Sequence, residues 1–185
     1  MNLYLLLSVI SLLCLGLQFE PLQSGMAWTS AGIQHGQWWR ILTGNFTHTN
    51  FAHLAMNLAG LWVISYIFRP ATRQLMTALL FIGMVVGVSN LFSEMTSYVG
   101  LSGVLHGVFA CFALSEALNG RRSSWLLVLG VMAKVVWEHT VGPSEETSAL
   151  IGARVAIEAH LAGMLGGIAL ALATYILSRS PQKNA

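Results

Sequence analysis

Residues 100–107 read GLSGVLHG and residues 160–167 read HLAGMLGG, and the two stretches share a spacing of glycines. Gly103 and Gly107 lie four residues apart, as do Gly163 and Gly167. Residues four apart lie on one face of a helix, and small residues there let two membrane helices pack backbone against backbone. The two stretches therefore predict a pair of closely packed membrane helices.

The composition places these helices in a lipid bilayer. Of the 185 residues, 55% are hydrophobic and only 9% are charged, whereas a soluble domain carries about 25% charged residues. Charge-free runs, each near the roughly 20 residues that cross a bilayer core as a helix, cover 1–19, 41–68, 74–93, 95–115 and 159–178. We expect an all-α polytopic membrane protein. No nucleic-acid partner is predicted, because the nine basic residues are scattered and form no patch.

Six spans and one long loop are predicted, together forming a single membrane domain over residues 1–185. The spans cover about 3–18, 51–68, 74–92, 102–119, 123–137 and 155–177. The first is predicted to be a retained helix rather than a cleaved signal peptide, because no basic residue precedes it. Residues 19–40 are polar and rich in glycine and tryptophan, so we expect a long loop at the membrane interface after the first span.

The distribution of basic residues predicts the orientation. Six of the nine fall on one side of the predicted spans, namely Arg69, Arg73, Arg121, Arg122, Arg179 and Lys183. Short loops rich in Lys and Arg stay in the cytoplasm, so this side and both termini are predicted to be cytoplasmic. The other side carries most of the acidic residues, with only Arg40 and Arg154 basic.

The acidic residues limit the chemistry. All seven are glutamates, so a paired-Asp protease and a strict Ser-His-Asp triad are excluded. The chain contains no His-Glu-x-x-His pair, which excludes a zincin-type metalloprotease. Cys14 and Cys111 lie in apolar runs and are predicted to be packing residues. No metal site and no cofactor are predicted.

Ser102 and His160 are the strongest candidates for chemistry. Ser102 opens a predicted helix, where free N–H groups and the helix dipole favour developing negative charge. The alternative for Ser102 is a helix N-cap, because the GxSG pattern alone is a weak signal. Packing of the two glycine faces could bring His160 to the Ser102 hydroxyl, and an activated serine needs such a base within hydrogen-bond reach. The alternative for His160 is a packing histidine bonded to a backbone carbonyl.

A third group of polar residues opens the second span. His53 and Asn57 lie four residues apart and share a helix face, and His48 precedes them. The side chains of His53 and Asn57 and the backbone N–H of Ser102 could donate hydrogen bonds to an oxyanion. The alternative for His53 and Asn57 is an interhelical hydrogen bond that stabilises the bundle.

These motifs resemble the rhomboid intramembrane serine proteases over nearly the whole chain. Trp39-Arg40 is similar to the family's Trp-Arg pair, and HTNFAHLAMN at 48–57 resembles its second helix with the oxyanion histidine and asparagine. GLSG holds the nucleophile position at Ser102, and His160 with Gly163 and Gly167 resembles the helix that carries the base. The resemblance implies a six-helix rhomboid bundle, a Ser102–His160 dyad without an acid, and transmembrane segments of proteins as substrates.

A narrower resemblance is to the rhombosortase branch. It is carried by GLSGVLHG, by AKVVWEH at 133–139 with the following Gly142-Pro143-Ser144, and by AHLAG at 159–163. It implies the inner membrane of a Gram-negative bacterium, with the active site toward the periplasm. It also implies exported substrates with a C-terminal Gly-Gly motif, one hydrophobic helix and a basic tail. The alternatives are a rhomboid protease of other single-span substrates and a catalytically silent rhomboid-like protein that binds membrane helices. No oligomeric state is predicted.

Several residues depart from the rhomboid pattern. His106 stands where most rhomboids have a tyrosine, and it could stack on His160, tune it, or compete with it as a base. Lys134 and Glu138 lie four residues apart and could form an ion pair in the bundle. Alternatively, Glu138 and Trp137 could shape the entrance for the substrate. Glu158 is expected to point away from His160, and Arg40 to anchor the first loop.

Overall fold

The structure is a computed structural model that describes residues 2–179. Lys183, one of the six basic residues behind the predicted orientation, therefore lies outside the described residues.

The described chain is mainly helical. Its α-helices are α1 (Leu3–Gly16), α2 (Leu22–Met26), α3 (Ser30–Gln34), α4 (Arg40–Thr43), α5 (Phe51–Phe68), α6 (Thr72–Ser89), α7 (Ser102–Leu118), α8 (Ser124–Thr140), α9 (Glu145–Ile151) and α10 (Ile157–Arg179). Short 3-10 helices cover Gly44–Phe46 and Asn90–Phe92, and two strands are β1 (Trp28–Thr29) and β2 (Ser97–Tyr98). The predicted spans correspond to α1, α5, α6, α7, α8 and α10, each of which begins within two residues of its predicted start.

Three helices are long and apolar enough to cross a bilayer by themselves: α5, α6 with its 3-10 extension to Phe92, and α10. Helices α8 and α9 meet the same criterion only together, as a pair bent by 88°. Helices α1 and α7 are apolar but have 14 and 17 residues. The described residues thus form a helical membrane protein with three or four candidate spans, and the count of six remains a prediction.

Local signals fix both ends of α5. The side chain of Asn50 accepts a hydrogen bond from the backbone N–H of His53 at 2.8 Å, which is the usual arrangement at a helix N-cap. At the other end Arg69 takes a left-handed conformation with φ of 44°, and Pro70 follows, which cannot continue a helix. The cap places His53 in the first turn of α5.

The segment between α1 and α5 differs from the predicted interfacial loop, because it contains three short helices and a strand, and Trp28 and Ile33 within it are buried. Trp28 is fully buried, and its indole N–H donates to the Gly87 carbonyl at 2.9 Å. Arg40 donates to the carbonyls of Ser24 and Ala27 at 2.8 and 2.5 Å, which confirms its predicted role as an anchor. Buried backbone groups need such partners. The sequence of residues 19–40 has no helical or strand periodicity from which these hydrogen bonds could be predicted.

Strand pairing holds the segment that precedes Ser102. β1 and β2 pair antiparallel, with Trp28 opposite Tyr98. The Tyr98 hydroxyl donates to the Gly100 carbonyl at 2.7 Å. The two-stranded sheet and the Tyr98 hydrogen bond therefore hold the backbone that leads into α7.

Helix α7 lies at the centre of the bundle and packs closely against α10. A Cβ atom added at Gly163 would lie 1.9 Å from the Gly103 carbonyl oxygen, and one at Gly167 would lie 1.9 Å from that of Gly107. Only glycine fits at this distance, so the predicted backbone-to-backbone packing is present. It brings the N-terminal ends of α7 and α10 together.

Candidate active site

Ser102 and His160 meet where α7 and α10 begin. The Nε2 atom of His160 lies 2.9 Å from the Ser102 hydroxyl oxygen. Ser102 is half-buried at the first residue of α7, and His160 is 4% exposed in the first turn of α10. This is hydrogen-bond distance, so the arrangement can pass the serine proton to the imidazole.

Glu138 contacts the other ring nitrogen of His160. Its Oε2 atom lies 2.8 Å from Nδ1 of His160, and its Oε1 atom accepts a hydrogen bond from Lys134. Glu138 is 4% exposed, whereas Trp137 is 61% exposed. Glu138 lines the cavity and lies against the ring edge of His160, whereas Trp137 does not line it, so the two residues do not form the predicted entrance together.

His106 covers one face of His160. The two rings are stacked, with centroids 4.1 Å apart and planes 17° apart. The Nδ1 atom of His106 lies 2.8 Å from the Ser102 carbonyl oxygen. A carbonyl only accepts, so this nitrogen carries a proton and is occupied.

The asparagine of the predicted oxyanion motif is buried with a free donor. Asn57 is 3% exposed, and within the described part of the chain its Nδ2 atom has no hydrogen-bond partner. It lines the same cavity as Ser102 and His160, of about 680 Å³. An unpaired buried amide is unfavourable in free energy, so a ligand oxygen in the cavity would satisfy it.

His53 lines the cavity beside Asn57, and its ring is held from two sides. Its Nδ1 atom lies 3.0 Å from the Thr49 hydroxyl, which itself donates to the Ile151 carbonyl at 2.6 Å. In this arrangement Nδ1 of His53 is the donor. Nε2 of a neutral His53 can donate to a ligand only when the Thr49 hydroxyl turns from Ile151 to Nδ1.

Gly100 makes room for the His53 ring. A Cβ atom at Gly100 would lie 2.7 Å from Nε2 of His53, and the backbone there has a φ of +119°. Both the close contact and the conformation require glycine. The first residue of GLSG thus serves the site as well as the turn into α7.

Comparison with known proteins agrees with this geometry. Residues 35–177 match the Rhomboid domain. The chain belongs to the rhomboid family. The candidate rhomboid protease YdcA of Bacillus subtilis (strain 168) is 24% identical over 152 residues, which cover 75% of this chain and 68% of that protein. The family resemblance is thereby confirmed, and the rhombosortase branch remains a prediction.

The remaining polar residues of this rhomboid differ in their surroundings. His48 is fully buried and packs edge-on against His53, with ring centroids 5.0 Å apart. Burial, and secondarily the nearby His53, lower the pKa of His48 to about 3, so the ring is neutral. Glu158 pairs with Arg154 and does not line the cavity, in agreement with the expectation that it points away from His160.

Three side chains of this rhomboid lie close enough to suggest a metal ion. The ligand atoms of His106, Glu138 and His160 all fall within 4.8 Å of one another. A ring nitrogen binds a metal in the plane of its ring, and the two rings are stacked nearly parallel rather than converging on one point. Since Nδ1 of His106 also donates to Ser102, these residues fit the hydrogen-bond network better than a metal site.

Proposed function

We propose that this rhomboid is an intramembrane serine endopeptidase in which Ser102 is the nucleophile and His160 the general base. The observation that carries the proposal is the 2.9 Å contact between the Ser102 hydroxyl and Nε2 of His160. Both residues line a cavity of about 680 Å³ beside the free amide of Asn57. Nucleophile, base and oxyanion donor therefore face one space that a peptide bond can occupy.

The reaction follows from these positions. His160 takes the proton of Ser102 at Nε2 while Oγ attacks the scissile carbonyl carbon, and the carbonyl oxygen becomes an oxyanion. Asn57 and the backbone N–H of Ser102 donate to it; the latter lies in the first turn of α7 and has no partner within the helix. His53 is the third donor once Thr49 turns to its Nδ1. The imidazolium of His160 then protonates the leaving amine, and water or another nucleophile releases the acyl group.

The proposed substrates are exported proteins with a C-terminal Gly-Gly motif, a single hydrophobic helix and a basic tail. The rhombosortase-like motifs support this class. A physical reason is that glycine is a poor helix former, by about 1 kcal/mol per residue relative to alanine. A Gly-Gly pair therefore unwinds at low cost into the cavity. If a reporter with Leu-Leu in place of Gly-Gly is cleaved at the same rate, this specificity is wrong.

The proposed location is the inner membrane of a Gram-negative bacterium, with the site toward the periplasm and both termini in the cytoplasm. Arg69, Arg73 and Arg121 lie at the ends of α5 to α7 opposite to the end that holds Ser102. Basic residues favour the cytoplasmic side, so the active site faces the other way.

A serine-directed fluorophosphonate probe tests the nucleophile. The detergent-solubilised wild-type chain should be labelled, and Ser102→Ala should not. Absence of labelling in a folded wild-type chain would favour the silent helix-binding alternative.

A further inference from the structure

Glu138 does more than pair with Lys134, because its two carboxylate oxygens have different partners. Oε1 accepts from Lys134, four residues earlier on α8, and Oε2 faces Nδ1 of His160 on α10 at 2.8 Å. The side chains of Glu138 and His160 are each only 5% exposed, whereas that of Lys134 is 54% exposed. If Glu138 paired with Lys134 alone, its buried Oε2 atom would have no hydrogen-bond partner.

We propose that Glu138 is the positioning residue of the catalytic base, so that Ser102, His160 and Glu138 form a triad; this rests on the proposed function. An ionised carboxylate only accepts hydrogen bonds, so Nδ1 of His160 must carry the proton. The lone pair then lies on Nε2, which faces the Ser102 hydroxyl at 2.9 Å. Of the two neutral tautomers of the imidazole, only this one can accept the serine proton.

The same contact stabilises the charge that forms during the reaction. When Nε2 takes the proton of Ser102, His160 becomes a cation in a buried position, where an unpaired charge is strongly unfavourable. The carboxylate of Glu138 already lies against Nδ1–H and compensates the charge without accepting the proton. The proton stays on His160 until the leaving amine takes it.

Lys134 and His106 complete the support of His160. Lys134 holds Oε1 and so fixes which oxygen is left for the histidine. His106 stacks on the ring face at 4.1 Å and limits its tilt. Ser102 and Glu138 thus hold the two ring nitrogens of His160 by hydrogen bonds in the ring plane. His106 holds the ring face by stacking.

Glu138→Gln gives a specific test because an amide has only one oxygen. Lys134 keeps that oxygen as its acceptor, so the amide N–H₂ turns to Nδ1 of His160. Nδ1 must then accept, the proton moves to Nε2, and the base is lost. We expect fluorophosphonate labelling of Ser102 to slow by about 100-fold, in the range that general-base catalysis contributes.

Removing Lys134 should partly rescue this variant. In Lys134→Met/Glu138→Gln the amide can rotate and offer its oxygen to Nδ1–H, which restores the productive tautomer. The double variant should therefore be labelled faster than Glu138→Gln, although it has lost one more polar contact. A purely structural role of the ion pair predicts the opposite order.

The matched control is Glu116→Gln. Glu116 also pairs with a basic residue, Arg121, and accepts from the Ser124 hydroxyl, but it lies at the other end of α7. It should be labelled at the wild-type rate. Nitrogen-15 spectra of the His160 ring should show the proton on Nδ1 in the wild type and on Nε2 in Glu138→Gln.

Two outcomes would overturn the role of Glu138 without touching the nucleophile. One is labelling of Glu138→Gln at the wild-type rate while Ser102→Ala is unlabelled. The other is a slow single variant whose His160 tautomer is unchanged and which Lys134→Met does not rescue. Failure of the proposed function itself looks different, because the wild type would then not be labelled.

Discussion

Among single residues, Asn57 is the best placed to donate a hydrogen bond to the proposed oxyanion. Its buried Nδ2 donors lack partners among the described residues and border the cavity. Replacement by alanine should lower kcat of a cleaved substrate by about 100- to 1,000-fold, the usual effect of one lost oxyanion donor. The measurement is the rate at saturating substrate in detergent micelles.

Asn90→Ala is the matched control for that prediction. Asn90 is buried and also has an Nδ2 atom without a partner in the described chain, but it does not line the cavity. It should keep the wild-type rate per folded molecule. Equal losses in the two variants would contradict an oxyanion role for Asn57.

His106 should act through its ring face rather than as a base. Stacked aromatic pairs contribute about 0.5–1.5 kcal/mol, so His106→Ala should slow cleavage by up to about tenfold, and His106→Tyr should stay close to wild type. His160→Ala should abolish cleavage. If His106→Tyr is as inactive as His160→Ala, His106 takes part in proton transfer and the stacking interpretation is wrong.

His48 should make the fold sensitive to acid. Its pKa of about 3 in the folded chain lies below the usual 6.5, because the buried ring resists charging. Above pH 6.5 His48 is unprotonated in both the folded and the unfolded chain. Between pH 6.5 and about 3 only the unfolded chain binds the proton, so stability falls with falling pH by about 1.4 kcal/mol per unit.

The His48→Leu variant checks this dependence. It should lose less stability than the wild type between pH 7 and pH 4, whatever its stability at pH 7. Thermal unfolding in detergent at several pH values gives the two slopes. Parallel slopes for the two proteins would contradict the assignment.

At the scale of elements, the contact of α7 with α10 positions the site. A Cβ atom at Gly163 would lie 1.9 Å from a backbone oxygen of α7. Gly163→Ala should therefore push the helices apart, destabilise the fold by about 1–3 kcal/mol and lower the labelling rate of Ser102 in the molecules that remain folded.

Gly130→Ala is the control for the packing of α7 against α10. Gly130 lies on α8, and a Cβ atom there would have no atom within 4 Å. This substitution should leave folding and labelling unchanged. Wild-type labelling of Gly163→Ala would show that the close approach of α7 and α10 does not set the distance from Ser102 to His160.

The sequence predicts the positions and packing faces of helices well where the pattern lies within a single helix. The apolar runs locate the helices, and the glycine spacing predicts the face that joins α7 to α10. The folded segment before α5 is not predicted, because Trp28 and Arg40 find their partners far along the chain or in irregular backbone. The contact of Glu138 with His160 is missed for the same reason: the spacing shows Lys134 on its own helix, but not the histidine on α10.

At the scale of the whole molecule, the two ends of the bundle differ in chemistry. One end holds the cavity with Ser102 and His160, and the other holds a second cavity of about 610 Å³ bordered by Arg69, Arg73 and Glu116. Basic residues favour the cytoplasmic side, so the proposed orientation places the first cavity on the periplasmic side. The proposed function requires a segment of a substrate helix to reach Ser102 from the bilayer.

Cleavage in proteoliposomes is the decisive test of the proposed protease activity. The full chain is reconstituted with a single-span substrate that carries a Gly-Gly motif, and the products are identified by mass spectrometry. We expect one cut near the Gly-Gly motif by the wild-type chain and none by Ser102→Ala or His160→Ala. The proposed activity is wrong if Ser102→Ala cleaves the substrate as fast as the wild type. It is also wrong if the folded wild-type chain cleaves no single-span substrate.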